Sequence, residues 1–332
     1  MLNKLYDKIK LIIKQNYKFY LVLIFLFLLF TFELPYYIES PGGILDVSTR
    51  VEVENANEIS GSFNLAYVSE FKATIPTLIY AYFNSDWDIL KKEEVILNET
   101  EEEIDYRNHL LLEEANDNAI IVGFNKAGEY VSVTNRKINV IYVHKQANTD
   151  LKIGDEIVEV NGIKIESKDQ LLSLVESLTG KIEIKVLNKN EEYYRYAYKT
   201  NIDDKNIIGI VLSETKDIDT NLEVSFKFNE SESGPSGGFM MALSIYNYLI
   251  EGDITNGLKI VGTGTIDEDG NVGSIGGIEY KIKGACKKKA DLFFVPIDNY
   301  EEAKQVVEKE NLNIKLISIK TIDEAIIYLS NL

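Results

Sequence analysis

The sequence predicts a protein of mixed helices and strands, in the α+β or α/β class, with an N-terminal transmembrane helix ahead of its folded part. Three observations support this prediction. Strand and helix patterns alternate through the second half of the chain, and residues 19–32 form an apolar run without charge. The 332 residues, 45% of them hydrophobic, suffice for about two folded units with their own cores.

The N-terminal segment predicts a membrane anchor. Residues 1–18 contain five lysines against one aspartate and are predicted as a cytoplasmic basic head, followed by an anchor at residues 19–35. The run Phe19–Phe32 is short beside the ~20 residues of a usual span. Four tyrosines at the places of interfacial aromatics would extend it, namely Tyr17, Tyr20, Tyr36 and Tyr37.

Two other interpretations of this segment are weighed against the anchor. A cleaved secretory signal needs small residues at its cleavage site, whereas Glu33–Ile38 are bulky. A buried core helix leaves the one-sided lysine charge unexplained. An uncleaved anchor is therefore favoured, and the lysines predict a single-pass cell-membrane localisation with a cytoplasmic N-terminus and the rest of the chain outside the cytoplasm.

The segment Glu232–Gly238 contains the first candidate reactive residue, Ser236. Small turn-forming residues lead directly into an apolar run of helical period, so Ser236 lies near a helix N-terminus. The first N–H groups of a helix lack partners and could hold an oxyanion. Forty-five residues later, Gly276–Lys281 again opens a helical pattern. A serine and a buried, neutral lysine form a nucleophile–base pair, although each motif alone also fits a plain helix start and a surface lysine.

Three motifs in order resemble the proteolytic domain of Lon-type proteases: Gly234-Pro235-Ser236 with its following glycines, Gly262–Ile266 and Gly276–Lys281. The likeness runs from about Ile207 to Leu329 and is nearest to the membrane-anchored, ATP-independent branch that carries a PDZ domain. It implies a Lon-like proteolytic domain at residues 200–332, with Ser236 as nucleophile, Lys281 as general base and Thr263 as a supporting residue. Gly237 stands where the family usually has alanine, and Glu230–Ser233 replaces its usual run.

Residues 137–199 resemble a PDZ domain, on the signature Leu151–Gly162. Asn161-Gly162 suits a tight hairpin, and Asp169–Leu178 reads as an amphipathic helix. Such domains bind an extended peptide as an added strand. The resemblance implies that Asn139–Val143 edges this groove, while a purely structural spacer remains the alternative.

Residues 36–136 are predicted to form an N-terminal extracytoplasmic segment that packs with the protease domain. Within it, Asn98–Ala127 reads as a long helix with Gly128 as its C-cap. Acidic residues crowd the helix start, which suits the helix dipole. A cation site was the alternative, but the stretch has no glycine turn and no spaced ligand pattern.

Composition excludes several classes of function. A net charge of −18 argues against nucleic-acid binding. The single cysteine, Cys286, rules out an internal disulfide and is better interpreted as a small buried residue than as a nucleophile.

His109 and His144 lack any motif, so neither a Ser-His-Asp triad nor a histidine metal site is expected. The acidic turn at Asp267 fails the calcium-loop spacing, and no phosphate-binding loop exists, so no metal or cofactor is expected.

The predicted function is therefore that of an ATP-independent, membrane-anchored serine endopeptidase with a Ser-Lys dyad. Its expected partners are extracytoplasmic peptides or membrane-proximal proteins, which the PDZ domain selects. Assembly with further copies of the chain is compatible with the resemblance, because Lon-type domains often form rings. The alternative is a catalytically inactive, membrane-tethered PDZ scaffold that binds peptides.

Overall fold

The computed structural model describes residues 2–92 and 99–332. The chain divides into two compact units, one made of residues 2–41 and 68–92 and the other of residues 42–67 and 99–332. The described helices are α1 (Leu2–Gln15), α2 (Tyr17–Thr31), α3 (Ile75–Phe83), α4 (Glu101–Ala127), α5 (Lys168–Ser177), α6 (Gly238–Leu249), α7 (Ile278–Lys287), α8 (Tyr300–Lys309) and α9 (Ile322–Ser330).

The described strands range in length from two residues to fourteen. They are β1 (Glu33–Asp46), β2 (Val51–Val53), β3 (Ser62–Thr74), β4 (Asp88–Lys91), β5 (Val131–Val143), β6 (Asn148–Thr149), β7 (Glu156–Val160), β8 (Ile163–Lys164), β9 (Lys181–Asn188), β10 (Glu191–Tyr198), β11 (Thr200–Ile202), β12 (Lys205–Ile207), β13 (Ile210–Thr220), β14 (Val224–Phe226), β15 (Lys259–Gly262), β16 (Thr265–Ile266), β17 (Val272–Gly273), β18 (Leu292–Pro296) and β19 (Leu316–Ile319).

The prediction of a transmembrane anchor at residues 19–35 is wrong. The apolar run lies in α2, whose 15 residues span only about 22 Å at 1.5 Å per residue. Within residues 2–92 and 99–332, no helix is both long enough and apolar enough to cross a membrane. The predicted single-pass cell-membrane localisation, with the rest of the chain outside the cytoplasm, is wrong with it, because that prediction required the anchor.

Strand pairing explains why the apolar helix does not continue. Tyr36 and Tyr37, interpreted from sequence as interfacial aromatics, lie in β1 and pair antiparallel with Lys91 and Leu90 of β4. The ladder satisfies the backbone groups that a longer helix would otherwise have to pair. Aromatic residues fit a strand as well as a membrane interface, and here the neighbouring strand decides between them.

The first unit has a small core of its own around Ile38, Ala73 and Ala81, which are almost fully buried. Trp87 packs edge-on against the ring of Phe71 at 5.6 Å between centroids. The stretch from residue 71 to 83 is the end of β3 followed by α3, with proline in the first helical turn.

Parallel strands form the sheet of the second unit. β15 pairs in parallel with β3 on one side and with β18 on the other, and β18 pairs in parallel with β19. Parallel pairing requires crossover connections, and α7 and α8 lie in the connections between these strands. The helix α6 contributes Phe239–Leu243, all fully buried, to the largest core.

A second sheet in this unit runs in the order β13, β5, β7, β9, β10 and β6. Its own apolar core includes Ile138, Val140 and Leu171. The predicted groove edge, Asn139–Val143, belongs to β5, which pairs with β13 on one side and β7 on the other. The strand at the end of the sheet order is instead β13, which begins at Ile210. That residues 137–199 form a PDZ domain remains a prediction.

The long predicted helix is confirmed as α4 from Glu101 to Ala127, while Asn98 lies outside the described residues. Thr100 and Glu103 form a reciprocal capping box at its start, and Gly128 ends it in a left-handed conformation with φ of +78°. The helix packs against α6 and β13. It therefore lies between the two sheets of the second unit.

Asp117 on α4 makes the stability of the folded protein depend on pH. It accepts the N–H of Lys216 at 2.7 Å, and burial raises its pKa from 3.8 to about 7. The unfolded chain ionises this carboxyl first, so the folded state loses stability as the pH rises from about 4 to about 7. Asp117→Asn should raise the free energy of unfolding at pH 8 by on the order of 2 kcal/mol.

Urea unfolding at pH 4, 6 and 8 checks this expectation, with the exposed Glu102→Gln as the control on the same helix. The gain of Asp117→Asn over the wild type should vanish near pH 4. An equal gain at all three pH values would contradict a titrating Asp117.

Candidate active site

Ser236 lies in a tight loop that leads into α6. The Gly234 N–H donates to the carbonyl of Asn108 on α4 at 3.0 Å, and the Gly238 N–H donates to the Pro235 carbonyl at 3.1 Å. Gly234 has φ of +89°, in the left-handed region that favours glycine. The half-buried Ser236 is two residues ahead of the first helical residue, so its predicted place near a helix N-terminus is confirmed.

The segment Gly262–Ile266 fixes this loop from the other side. The Gly264 N–H donates to the Ser236 carbonyl at 2.8 Å, and the Phe239 N–H donates back to the Gly264 carbonyl at 3.2 Å. Gly264 has φ of +153°, and a Cβ atom there would lie 2.5 Å from Cγ1 of Val272. Only glycine fits this close approach, which is why a Gly-Thr-Gly sequence can bond directly to the serine loop.

Lys281 reaches the loop through Thr263. Lys281 is in the first turn of α7 and is only 4% exposed. Its Nζ donates to Thr263 Oγ1 at 3.1 Å, and the Thr263 hydroxyl donates to the Ser236 carbonyl at 3.1 Å. The three site residues named from the sequence therefore lie along one chain of two hydrogen bonds.

The environment of Lys281 makes the neutral form of its amine more accessible than in water. Burial lowers the pKa of its amine from 10.5 to about 8, because the charged form loses hydration in the interior. Within the part of the chain that the structure describes, no carboxylate forms an ion pair with this amine. With such a pKa, about a tenth of the molecules carry a neutral amine at pH 7.

The helix start supplies fewer free donors than its sequence suggests. The N–H groups of Gly238 and Phe239 already donate to the carbonyls of Pro235 and Gly264. Among residues 2–92 and 99–332, no acceptor is found for the N–H groups of Ser236 and Gly237. These two amides, rather than the helical ones, are the unengaged donors beside the serine.

An ion pair that the sequence did not reveal anchors the approach to the loop. Arg50 donates to both carboxylate oxygens of Glu232, at 2.8 and 2.7 Å, from a position 182 residues earlier. The same carboxylate accepts the N–H of Asn229 at 2.9 Å. Because Glu232 lies in the run that departs from the Lon-type pattern, this pair gives that departure a structural role.

The other candidate residues lie apart from this hydrogen-bond chain. Cys286 is half-buried near the far end of α7. His109 lies on α4 and His144 follows β5, and the imidazole ring of each hydrogen-bonds within its own segment. Asp267 closes the turn between β16 and β17 by accepting the N–H groups of Asp269 and Asn271, at 3.0 and 2.8 Å.

Comparison with known proteins gives a family and relatives for this chain. Residues 151–330 match the Lon protease (S16) C-terminal proteolytic domain. The chain is 24% identical over 209 residues to the Lon protease of Rickettsia prowazekii (strain Madrid E), covering 61% of this chain and 26% of that protein. It is 31% identical over 111 residues to Lon protease 2 of Bacillus subtilis (strain 168), covering 33% of this chain and 19% of that protein.

These findings define the chain as one that carries a Lon-type serine protease domain. It belongs to the Lon protease (S16) C-terminal proteolytic domain family, whose match covers more than half of its length and begins upstream of the predicted boundary at residue 200. The chain spans about a quarter and a fifth of these two curated relatives. A solution structure of the second domain of the Listeria protein Lin2157 is 22% identical, covers 26% of this chain and 87% of that one, and superposes with a TM-score of 0.20, too low to define a common fold.

Proposed function

We propose that this chain is a serine endopeptidase in which Ser236 is the nucleophile and Lys281 the general base. One observation supports this most directly: a buried lysine amine with a lowered pKa is joined through the Thr263 hydroxyl to the serine loop. A neutral amine can take the proton of a serine hydroxyl, whereas an ammonium cannot.

In the proposed reaction, the Ser236 hydroxyl attacks a peptide carbonyl while Lys281 removes its proton. The tetrahedral intermediate collapses, Lys281 returns the proton to the leaving amine, and an acyl-enzyme remains. Water then attacks the ester while Lys281 accepts its proton, and Lys281 returns this proton to the Ser236 oxygen as the ester bond breaks and the acid product leaves. Thr263 keeps the amine in place throughout by accepting one of its hydrogen bonds.

The oxyanion of the intermediate needs hydrogen-bond donors that are not already engaged. The N–H groups of Ser236 and Gly237 are the candidates, since the next two amides along the chain donate to protein carbonyls. Both candidates belong to the loop that Gly264 and Asn108 hold in place. Their orientation is therefore fixed before substrate binds.

The predicted PDZ domain is proposed to select the substrate. A cavity of about 510 Å³ lies between α5 and the start of β13, with mostly apolar walls that include Leu172, Val175, Ile208, Ile210 and Leu212. β13 is an edge strand of its sheet, so an extended peptide can add to it and place alternate side chains in the cavity. Extended, apolar peptide segments are the substrate class that suits such a groove.

The proposed cleavage uses no nucleotide. The sequence contains no Gly-x4-Gly-Lys-Ser/Thr loop for ATP phosphates. Without such a motor in this chain, peptides and already unfolded segments are the expected substrates. A peptide-binding scaffold without catalysis would share the groove, and the experiment below separates it from an enzyme.

The pH dependence of serine labelling tests the proposal. A fluorophosphonate probe should label the wild type at a rate that rises about tenfold per pH unit below the pKa of Lys281 and levels off above about pH 8. The sign follows from the base: raising the pH increases the neutral amine. Ser236→Ala should abolish labelling.

Two results would contradict the proposed dyad. One is a wild-type labelling rate that is flat between pH 6 and 9. The other is labelling of Lys281→Met at the wild-type rate. A protein that binds apolar peptides but is never labelled would favour the scaffold.

A further inference from the structure

A cluster of buried and half-buried charges joins the second sheet to the turn between β16 and β17. Arg136 on β5 donates through Nη1 to Glu214 Oε2 at 2.7 Å and to Glu268 Oε1 at 2.5 Å. Its Nη2 donates to Glu268 Oε2 at 2.8 Å. We call these three residues the Arg136 clasp. The bonds from Arg136 are the largest cause of the lowered pKa of Glu268, which keeps that carboxylate charged.

The Glu214 end of the clasp holds both walls of the peptide groove. Glu214 lies on β13, two residues beyond the groove residue Leu212. Its Oε1 accepts the N–H of Lys168 at 2.7 Å, and Lys168 is the first residue of α5. A carboxylate at a helix N-terminus is also favoured by the helix dipole. The strand and the helix that line the groove therefore converge on one carboxylate.

The Glu268 end holds the segment that contains the proposed catalytic support. Glu268 is in the turn that joins β16 to β17, and β16 begins two residues after Thr263. A second link runs parallel to the clasp. Lys216 Nζ donates to Asn118 Oδ1 at 2.9 Å and lies 3.2 Å from Glu268 Oε1, while Asn118 Nδ2 donates to the Ile266 carbonyl at 2.9 Å.

These links are more buried than ordinary surface pairs, with 25% and 32% of the Arg136 and Glu268 side chains exposed. The side chains of Lys216 and Glu214 are 2% and 9% exposed. Removing one partner of a buried charge pair is strongly destabilising, since the other charge is left without compensation. One residue along the same ladder, Lys137 and Asp217 form a pair at 3.4 Å with both side chains about half exposed, and such pairs contribute little.

We propose that the Arg136 clasp couples the peptide groove to the catalytic segment, so that what occupies the groove sets the turnover of Ser236. Arg136, Glu214 and Glu268 are positioning residues in this scheme and do not touch the substrate. The coupling rests on the proposed function, both for the groove and for the site. An added strand on β13 or a displaced α5 moves Glu214, and the clasp transmits this to the turn after Thr263.

The test uses groove and clasp variants of the full chain, with an internally quenched, unstructured apolar peptide as substrate. Leu172 lines the groove and is half exposed, so Leu172→Trp fills part of the cavity without touching the clasp. Leu172→Trp should change kcat by about fivefold or more, the range of ordinary coupling energies. In the Glu214→Gln background the same substitution should change kcat less than about twofold.

Lys137→Gln is the matched control for the loss of an ion pair on the same strands. In that background Leu172→Trp should keep its full effect on kcat. Glu214→Gln alone should lower kcat with KM nearly unchanged, a split that general loss of folded protein would not produce. Thermal unfolding checks that each variant is folded, and Glu268→Gln replaces Glu214→Gln if the latter is not.

Two outcomes would overturn the coupling. One is an equal effect of Leu172→Trp in the wild-type and clasp-variant backgrounds. The other is no effect of Leu172→Trp on the wild type. A wild type that shows no cleavage dependent on Ser236 would instead reject the proposed function itself, and the two failures are thus distinguishable.

Discussion

Replacement of Ser236 by alanine is expected to reduce peptide cleavage by at least about 10⁴-fold, because the nucleophile is then absent and only binding and oxyanion contacts remain. Replacement of Lys281 by methionine should reduce kcat by a similar factor. A serine hydroxyl is a weak nucleophile near neutral pH unless a base removes its proton. Cleavage of an internally quenched peptide at pH 8 measures both variants.

Lys283→Met is the matched control for Lys281→Met. Lys283 lies on the same helix, is similarly buried, and pairs with Glu279 at 2.6 Å, away from Thr263. Its substitution should leave kcat within a few-fold of the wild type. If Lys283→Met lost as much activity as Lys281→Met, burial of α7 rather than the base would explain the loss.

Stability measurements separate loss of the base from loss of the fold. The pKa of Lys281 is lowered on folding from 10.5 to about 8, so its burial destabilises the folded state below pH 8 and this penalty disappears as the pH rises through 10.5. Lys281→Met should therefore raise the free energy of unfolding at pH 7 by on the order of 1–2 kcal/mol while removing activity. A strongly destabilised Lys281→Met would contradict this description of the amine.

Thr263→Val is expected to lower kcat about 100-fold, the usual contribution of a positioned proton-transfer group. Valine keeps the shape of threonine at this fully buried position but removes the hydroxyl that accepts from Lys281 and donates to the Ser236 carbonyl. The amine then loses an acceptor that favours its charged form, so its pKa should fall further. The rising part of the pH–rate profile should move to lower pH.

Thr263→Ser is the control, because it restores the hydroxyl with one methyl group fewer. It should recover most of the activity and the wild-type pH profile. Should Thr263→Ser be as impaired as Thr263→Val, packing of the methyl group would matter more than the hydroxyl. An unshifted profile for Thr263→Val would show that the hydroxyl does not bond the amine during turnover.

Local signals in the sequence predicted the parts of the fold that local physics decides. Thr321 with Glu324 three residues later has the spacing of a capping box, and Thr321 accepts the Glu324 N–H at the start of α9 in a bond that is long at 3.4 Å. The apolar run Leu292–Pro296 has a strand pattern and Asp269-Gly270 a turn pattern, and the structure has a strand and a turn at these places. Caps, turns and short apolar runs depend on neighbours within a few residues, so one sequence is enough to find them.

Long-range pairing decided the parts that were missed or misread. The anchor prediction failed because Tyr36 and Tyr37 pair with a strand more than fifty residues away. The residues next to these tyrosines contain no signal for that pairing. The segment Asn139–Val143, predicted as a groove edge, lies in an inner strand because β5 pairs with both β13 and β7. Ion pairs such as Arg50 with Glu232 join residues 182 positions apart, and a single sequence contains no signal for them.

The hydrogen-bond chain from Lys281 to Ser236 has a direction, and that direction constrains the amine. A hydroxyl has only one hydrogen, and the hydrogen of Thr263 is committed to the Ser236 carbonyl. Thr263 can therefore only accept from Lys281, whether the amine is charged or neutral. A neutral amine donates one N–H to the threonine hydroxyl. Its lone pair takes no part in that bond, so it remains available to accept a proton that approaches from another side.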